Sequence, residues 1–304
     1  MNIIVNKYLL LTMLSVATLA STAQTSADSL LQEIGVTEAP ATIRVYNTFK
    51  SPRVINAHSV EMLPAGVLDF RILHRFGMVS KGFKDMFGLD QATMRMGFDY
   101  GITKDFTVGV GRSTLKKELD AFVKYRITQQ AIGYKPRPVS IVAVAGITCY
   151  TTPWANLTRN NLQSSRLAYY GQLLVAHKLS EHFSLQLAPT LVHRNLVEFK
   201  SDDNSTVALG IGTKARVSRR VCIILDAFPI LSGARPSYNT MPLSVGVDIE
   251  TGGHVFQLHF SNTMGMNEKA FVTETTQKWS KSEFQFGFNL SRVFTIKKNK
   301  STNF

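Results

Sequence analysis

The sequence predicts an all-β fold, an antiparallel up-and-down transmembrane β-barrel of about twelve strands. Three observations carry this expectation. Apolar residues recur with a period of two, the segments so marked approach the roughly nine to eleven residues that a tilted strand needs to cross a bilayer, and the connections alternate between short and long.

The period is plainest where Leu243, Val245, Val247 and Ile249 alternate with Ser244, Gly246 and Asp248. Phe284, Phe286, Phe288 and Leu290 alternate in the same way with Gln285, Gly287, Asn289 and Ser291. Val207, Leu209 and Ile211 alternate with Ala208, Gly210 and Gly212, and Leu119, Ala121, Val123, Tyr125 and Ile127 oppose Asp120, Phe122, Lys124 and Arg126. The predicted strands cover 66–76, 92–100, 106–113, 119–127, 139–150, 166–178, 183–194, 205–217, 221–229, 242–250, 254–262 and 284–294. Beyond the first residues, no segment offers a comparably clear long helix.

Short turns fall at 101–105, 180–182, 218–220 and 251–253, and longer links at 77–91, 151–165, 195–204, 230–241 and 263–283. Two connections break the contrast: 113–118 is a modest long loop and 128–138 a long turn. Tight periplasmic turns and long external loops are the asymmetry of outer-membrane barrels, and an even strand count returns both termini to the periplasmic side. Aromatics near strand ends (Phe98, Tyr100, Tyr150, Trp154, Tyr169, Tyr170, Phe183, Phe228 and Phe294) suit girdles at the two lipid interfaces.

An apolar fraction of 44% argues against global disorder, and a mean hydropathy of +0.01 excludes a bundle of membrane helices while being blind to a barrel. Lys7, the apolar run Tyr8–Ala20 and Ser21-Thr22-Ala23 read as a signal peptide over 1–23, hence export to the outer membrane of a Gram-negative bacterium. Residues 24–65 are expected to be a periplasmic lead-in or a lumenal segment, and 66–304 the barrel. The formal net charge of +13 points to acidic lipid headgroups and lipopolysaccharide rather than nucleic acid, which fits poorly with export. Cys149 and Cys222 map to opposite rims, too far apart to bridge.

The stretch from Thr48 to Gln129 carries a more specific pattern. It holds Thr48-Phe-Lys-Ser-Pro-Arg-Val-Ile-Asn56, His74-Arg-Phe-Gly77, Phe87-Gly-Leu-Asp90, Met94-Arg-Met-Gly97 with Tyr100-Gly101, Val110-Gly-Arg-Ser113, and Lys124-Tyr-Arg126 with Gln129. In combination these resemble an outer-membrane β-barrel family of Bacteroidetes, domain of unknown function 5777. The resemblance implies location and architecture, and brings no catalytic or ligand residues.

Charged residues share parity within strands: Asp69, Arg71 and Arg75; Arg95 and Asp99; Asp120, Lys124 and Arg126; then Lys214, Arg216, Asp226, Asp248 and Glu250. A Lys or Arg on the lipid face at mid-membrane costs about 2–4 kcal/mol, so these side chains are expected inside. Their mixed signs predict a paired lumenal network; the competing reading is a charged constriction or a small-solute site. His74 and Arg112 are candidate binding residues at the external rim. Thr48–Asn56, with Lys50 and Arg53, is read as lumenal or periplasmic.

Catalysis finds little support. No G-x-S-x-G elbow occurs, and none of His58, His74, His177, His182, His193, His254 and His259 sits in an evident Ser/His/acid arrangement. His259 shares parity with Gln257 and Ser261 and is expected in the lumen; His177 and His193 suit the lipid interface. No H-x-x-H or C-x-x-C spacing predicts a metal, and Ser201–Ser205 reads as a solvated tip rather than a calcium loop. Gly109-Val-Gly-Arg112 and Gly210-Ile-Gly-Thr-Lys214 recur in strands, where they allow close lumenal packing. The expected function is a non-enzymatic barrel without cofactor: a narrow pore, a solute-binding barrel for a small polar or charged solute, or a scaffold with binding loops. The alternatives are a membrane-embedded lipid-modifying enzyme and a soluble exported barrel or sandwich. Oligomeric state stays open.

Overall fold

The computed structural model describes residues 41–154, 156–158, 160–197, 199, 202–233, 238–251 and 254–297. The expected signal segment and the lead-in up to residue 40 lie outside them, as does Ser201. Ala41, Thr42 and Gly133–Lys135 form a small unit by themselves, in which the Tyr134 amide donates to the Ala41 carbonyl. The remaining described residues form the main unit.

Strands β1 (Thr42–Arg44) and β6 (Ala131–Gly133) make a separate two-stranded sheet. The wall of the barrel is built from β2 (Val67–Met78), β3 (Ala92–Thr103), β4 (Phe106–Ser113), β5 (Glu118–Thr128), β7 (Ser140–Tyr150) and β8 (Leu167–Lys178). It continues through β9 (Phe183–Arg194), β10 (Ser205–Arg216), β11 (Val221–Ala227), β12 (Ile230–Ser232), β13 (Leu243–Thr251), β14 (His254–Ser261) and β15 (Gln285–Thr295). In the wall β2–β5, β7–β10 and β13–β15 each pair in chain order, β5 pairs with β7, β10 with both β11 and β12, and β11 with β13, all antiparallel. β15 returns to β2 with Phe288 opposite His74 and Ser291 opposite Arg71. The return of β15 to β2 and of β11 to β10 closes the ring, the arrangement that suits lipid, which offers the backbone no partners.

β11 and β12 are two parts of one stave, since both pair with β10, so the wall has twelve staves. The break falls at Phe228-Pro229. Proline has no amide hydrogen to give to the ladder, although its carbonyl still accepts from the Leu209 amide. The stave predicted to end at residue 229 therefore continues three residues beyond it. Elsewhere the predicted bounds agree with the observed ones to within a few residues. Short turns gather at the rim that carries Val67 and Thr295, the terminal rim, and long connections at the opposite loop rim. The exceptions are the long link 129–139 at the terminal rim and the short link 114–117 at the loop rim.

Burial alternates along each stave. Val110 and Tyr125 face outward and are 55% and 54% exposed, while Gly109 and Lys124 beside them face inward and are buried. The inward face is not uniform. On β13–β15 and β2–β5 it is polar, with Asp248, Gln257, His259, Asn289, Asp69, Arg71, Arg75, Arg95, Asp99, Asp120 and Lys124. On β7–β10 it is largely apolar, with Val142, Val144, Tyr170, Leu174, Ala188, Val192 and Ala208. Those staves carry apolar residues on both faces, although Gln172, Gln186, Thr190, Thr206 and Lys214 also turn inward there.

Glycine makes room where the polar wall is most crowded. A Cβ on Gly111 would stand 2.2 Å from Arg95 Nη2, so the guanidinium lies flat across the backbone of β4. Gly111→Ala is expected to force Arg95 off its carboxylate and to destabilise the barrel by about 1–3 kcal/mol. The midpoint of urea unfolding in lipid vesicles reads this directly, and an unchanged midpoint would contradict it.

Candidate functional site

Residues 48–63, which precede β2, are almost continuously buried, and they fold into a hairpin inside the barrel. The Val54 amide donates to the Ala57 carbonyl across the tip, and the Ser59 amide to the Pro52 carbonyl. The tip has no strand neighbour, so its backbone groups are satisfied by wall side chains instead. Asp226 Oδ2 accepts from the Asn56 and Ala57 amides at 2.7 and 3.0 Å. Gln257 donates to the Val54 carbonyl at 2.7 Å and Asn289 to the Ile55 carbonyl at 3.0 Å. From across the lumen, Gln186 donates to the His58 carbonyl at 2.7 Å and Lys124 to the Glu61 carbonyl at 2.6 Å. At the terminal rim, Lys50 meets Glu250 at 2.5 Å.

The expected lumenal charges fall into two groups around this hairpin. Asp69 with Arg71 (2.5 Å) and Arg95 with Asp120 (2.9 Å through Nε) are buried ion pairs within the wall. Arg75 and Lys124 reach the hairpin: Arg75 donates to Asn56 Oδ1 at 2.6 Å, and Arg71 turns its second nitrogen to Ser51 Oγ at 2.8 Å. Asp99 borders a gap of about 10 Å³ beside Thr107 and Lys124. Arg126 is only half-buried and bonds Gln129 at 3.2 Å near the terminal rim. The conspicuous sequence segments Thr48–Asn56 and His74–Gly77 are thus two sides of one contact.

A second segment enters from the loop rim. The connection between β14 and β15 turns inward and forms α1 (Glu268–Thr273), capped by Asn267, whose side chain accepts from the Ala270 amide. Six residues are too few for an independent helix in water, so packing sets its conformation. Phe271 lies 4.9 Å from Phe228, and both join the apolar face of β7–β10 and Phe49, Val54 and Val60 of the hairpin in one lumenal core.

The two segments meet at mid-lumen. Arg53 Nη1 stands 3.2 Å from Glu268 Oε1, and His58 Nε2 stands 3.3 Å from Arg53 Nη2 and 3.4 Å from Glu268; all three side chains are 1% exposed. Burial, with the Arg53 charge adding to it, holds His58 well below the ordinary imidazole range, so the ring is neutral and accepts from Arg53. Burial also raises Glu268, with Arg53 opposing.

Above α1 a vestibule of about 830 Å³ lies at the loop rim. Lys116, Tyr150, Arg166, Arg194, Asp202, Tyr238 and Glu274 are among the residues around it, and Lys269 and Thr273 of α1 contribute to its lining. Lys269 is held by Glu118 and Glu274, each at 2.5 Å, and Lys116 shares Glu274 at 2.9 Å. Arg166 lies 4.0 Å from the Trp154 ring centre and donates to the Tyr150 and Thr152 carbonyls.

The two residues expected to bind at this rim lie near it but point outward. His74 faces outward, stacked 4.8 Å from Phe288, and Arg112 is exposed on the outward face of β4; neither lines the vestibule. His259 faces inward and is buried, as its parity predicts, and His193 faces outward and meets Ser205 Oγ at 2.9 Å. Cys149 and Cys222 are free thiols. Glu268 and Lys269 carried no periodic signal and were not marked by the sequence. His58 was visible only as one histidine among seven.

No curated protein matches the chain. Among solved structures it is similar to the NanC porin, with 8% identity over 76% of this chain and 100% of that one and a TM-score of 0.45. It is also similar to OmpF of Salmonella typhi in complex with daunomycin (8% identity, 83% and 100% covered, TM-score 0.37). A third is the translocator domain of the autotransporter NalP from Neisseria meningitidis (12% identity, 77% and 89% covered, TM-score 0.33). A family model described as a membrane-bound β-barrel domain matches residues 49–294, from inside the hairpin to the last stave. The chain therefore belongs to this membrane-bound β-barrel family, domain of unknown function 5777.

Proposed function

We propose that the chain is a non-enzymatic, solute-binding outer-membrane barrel with a shut lumen, and that its binding site is the vestibule at the loop rim. The observation that supports this reading is the lumenal core. Phe49, Val54 and Val60 of the hairpin and Phe271 of α1 pack against Val142, Val144, Leu174 and Val192, where a diffusion pore would hold water. Hydrogen bonds with opposite parts of the wall hold the hairpin, at its tip with Asp226, Gln257 and Asn289 and along its return limb with Gln186 and Lys124. A vestibule of about 830 Å³ is within the size range of small-molecule sites, roughly 300–1,000 Å³. The asymmetry of turns and loops supports a reading with the vestibule external and the hairpin entry periplasmic. The basic surface suits contact with acidic headgroups and lipopolysaccharide.

Purified protein reconstituted in planar bilayers is expected to give no conductance steps above baseline. Steady ohmic steps from the unmodified protein would overturn the shut lumen and favour a narrow pore.

A further inference from the structure

The vestibule names no ligand charge by itself. Its cations Lys116, Arg166, Arg194 and Lys269 are balanced by Asp202, Asp203 and Glu274 at its lining and by Glu118 behind Lys269. Its floor is more informative, because α1 has two allegiances. Lys269 belongs to the vestibule through Glu118 and Glu274. Glu268, its chain neighbour, points the other way, to Arg53 of the hairpin. Adjacent residues on a helix project about 100° apart, so a rotation or shift of this single turn moves both side chains together.

We infer that the vestibule and the hairpin are two ends of one switch: displacing α1 at the vestibule loosens the hairpin through the Glu268–Arg53 contact. This rests on the vestibule being the binding site and adds how its occupancy is felt at the opposite rim. The physical chain is short. Three fully buried side chains form the joint, and neither Arg53 nor Glu268 can move alone without leaving a charge buried and unpaired. Beyond the joint, the same hairpin ends in the Lys50–Glu250 pair and in the Asn47 carbonyl held by Lys214 at 2.5 Å. A disturbance at Lys269 thus has a continuous mechanical path to the terminal rim, and no solute needs to cross.

The path is tested by a double-mutant cycle read by thiol labelling. Cys149→Ser and Cys222→Ser remove the native thiols, and Ala57→Cys places a reporter at the buried hairpin tip. Labelling by a maleimide in detergent is expected to be slow in this background. It should accelerate about tenfold with either Lys269→Ala or Glu268→Gln, and the two together should add little to one alone. Lys269→Gln serves in place of Lys269→Ala if that variant loses its heat-modifiable folded band. A labelling rate unchanged by both Lys269 variants would overturn the switch, as would effects of Lys269 and Glu268 that simply multiply. Conductance of the unmodified protein would refute the shut lumen but leave this cycle readable, so the two failures are distinguishable.

Discussion

Asp120→Ala is expected to lower the stability of the barrel by about 3–5 kcal/mol. Arg95 is buried in the wall with its guanidinium flat over Gly97 and Gly111, and Asp120 grips it through both Nε and Nη2. Removing the carboxylate leaves a full charge enclosed, with glycine backbones beneath it and no room to swing towards water. Asp120→Asn keeps the acceptor oxygen and should cost less. Urea titration in lipid vesicles gives the difference. A loss below about 1 kcal/mol is the size expected of a solvated surface pair, and would mean that the lumen around Arg95 is wet.

Leu174→Ala is expected to cost about 2–5 kcal/mol by the same measurement, the range of a cavity cut into a packed interior. Leu174 is 0% exposed on the inward face of β8 and belongs to the lumenal core. In a water-filled pore the substitution would remove apolar surface from water and cost nothing. The sign and size of this one number therefore separate a filled barrel from an open one without reference to any solute.

Much of the wall was legible before the structure. Parity told which residues share a face, and charge told which face turns inward, because Asp69, Arg71 and Arg75 or Asp120 and Lys124 would be costly against lipid. Loop asymmetry ordered the staves without any contact being known. Parity has a blind side, however. Along parts of β7–β10 both faces are apolar, so alternation of Val142 with Ile141 or Leu174 with Leu173 gives no polarity to read. Those inward valines and leucines needed an apolar partner inside the barrel, which was the available sign of a filled lumen. The partners were hard to see for local reasons. The hairpin has no strand period, since its backbone bonds go to Asp226, Gln257 and Asn289. α1 is shorter than any window that reveals a helical period. His74 shows a further limit: its motif marks a rim position and suggested binding, while its parity, opposite to Arg75, already turned it outward against Phe288.

The apolar patch on the inward face of β7–β10 also constrains how such a molecule can come into being. A barrel finished while hollow would have to hold water against Val142, Val144, Leu174, Val192 and Ala208, the unfavourable contact that folding removes everywhere else. The hairpin lies N-terminal to every stave and carries Phe49, Val54 and Val60 as the complement of that surface. Wall and filling are thus favoured to assemble together, with the sheet wrapping around the hairpin as around a mandrel. The last seam, β15 against β2, would then shut over an interior already dry on its β7–β10 side.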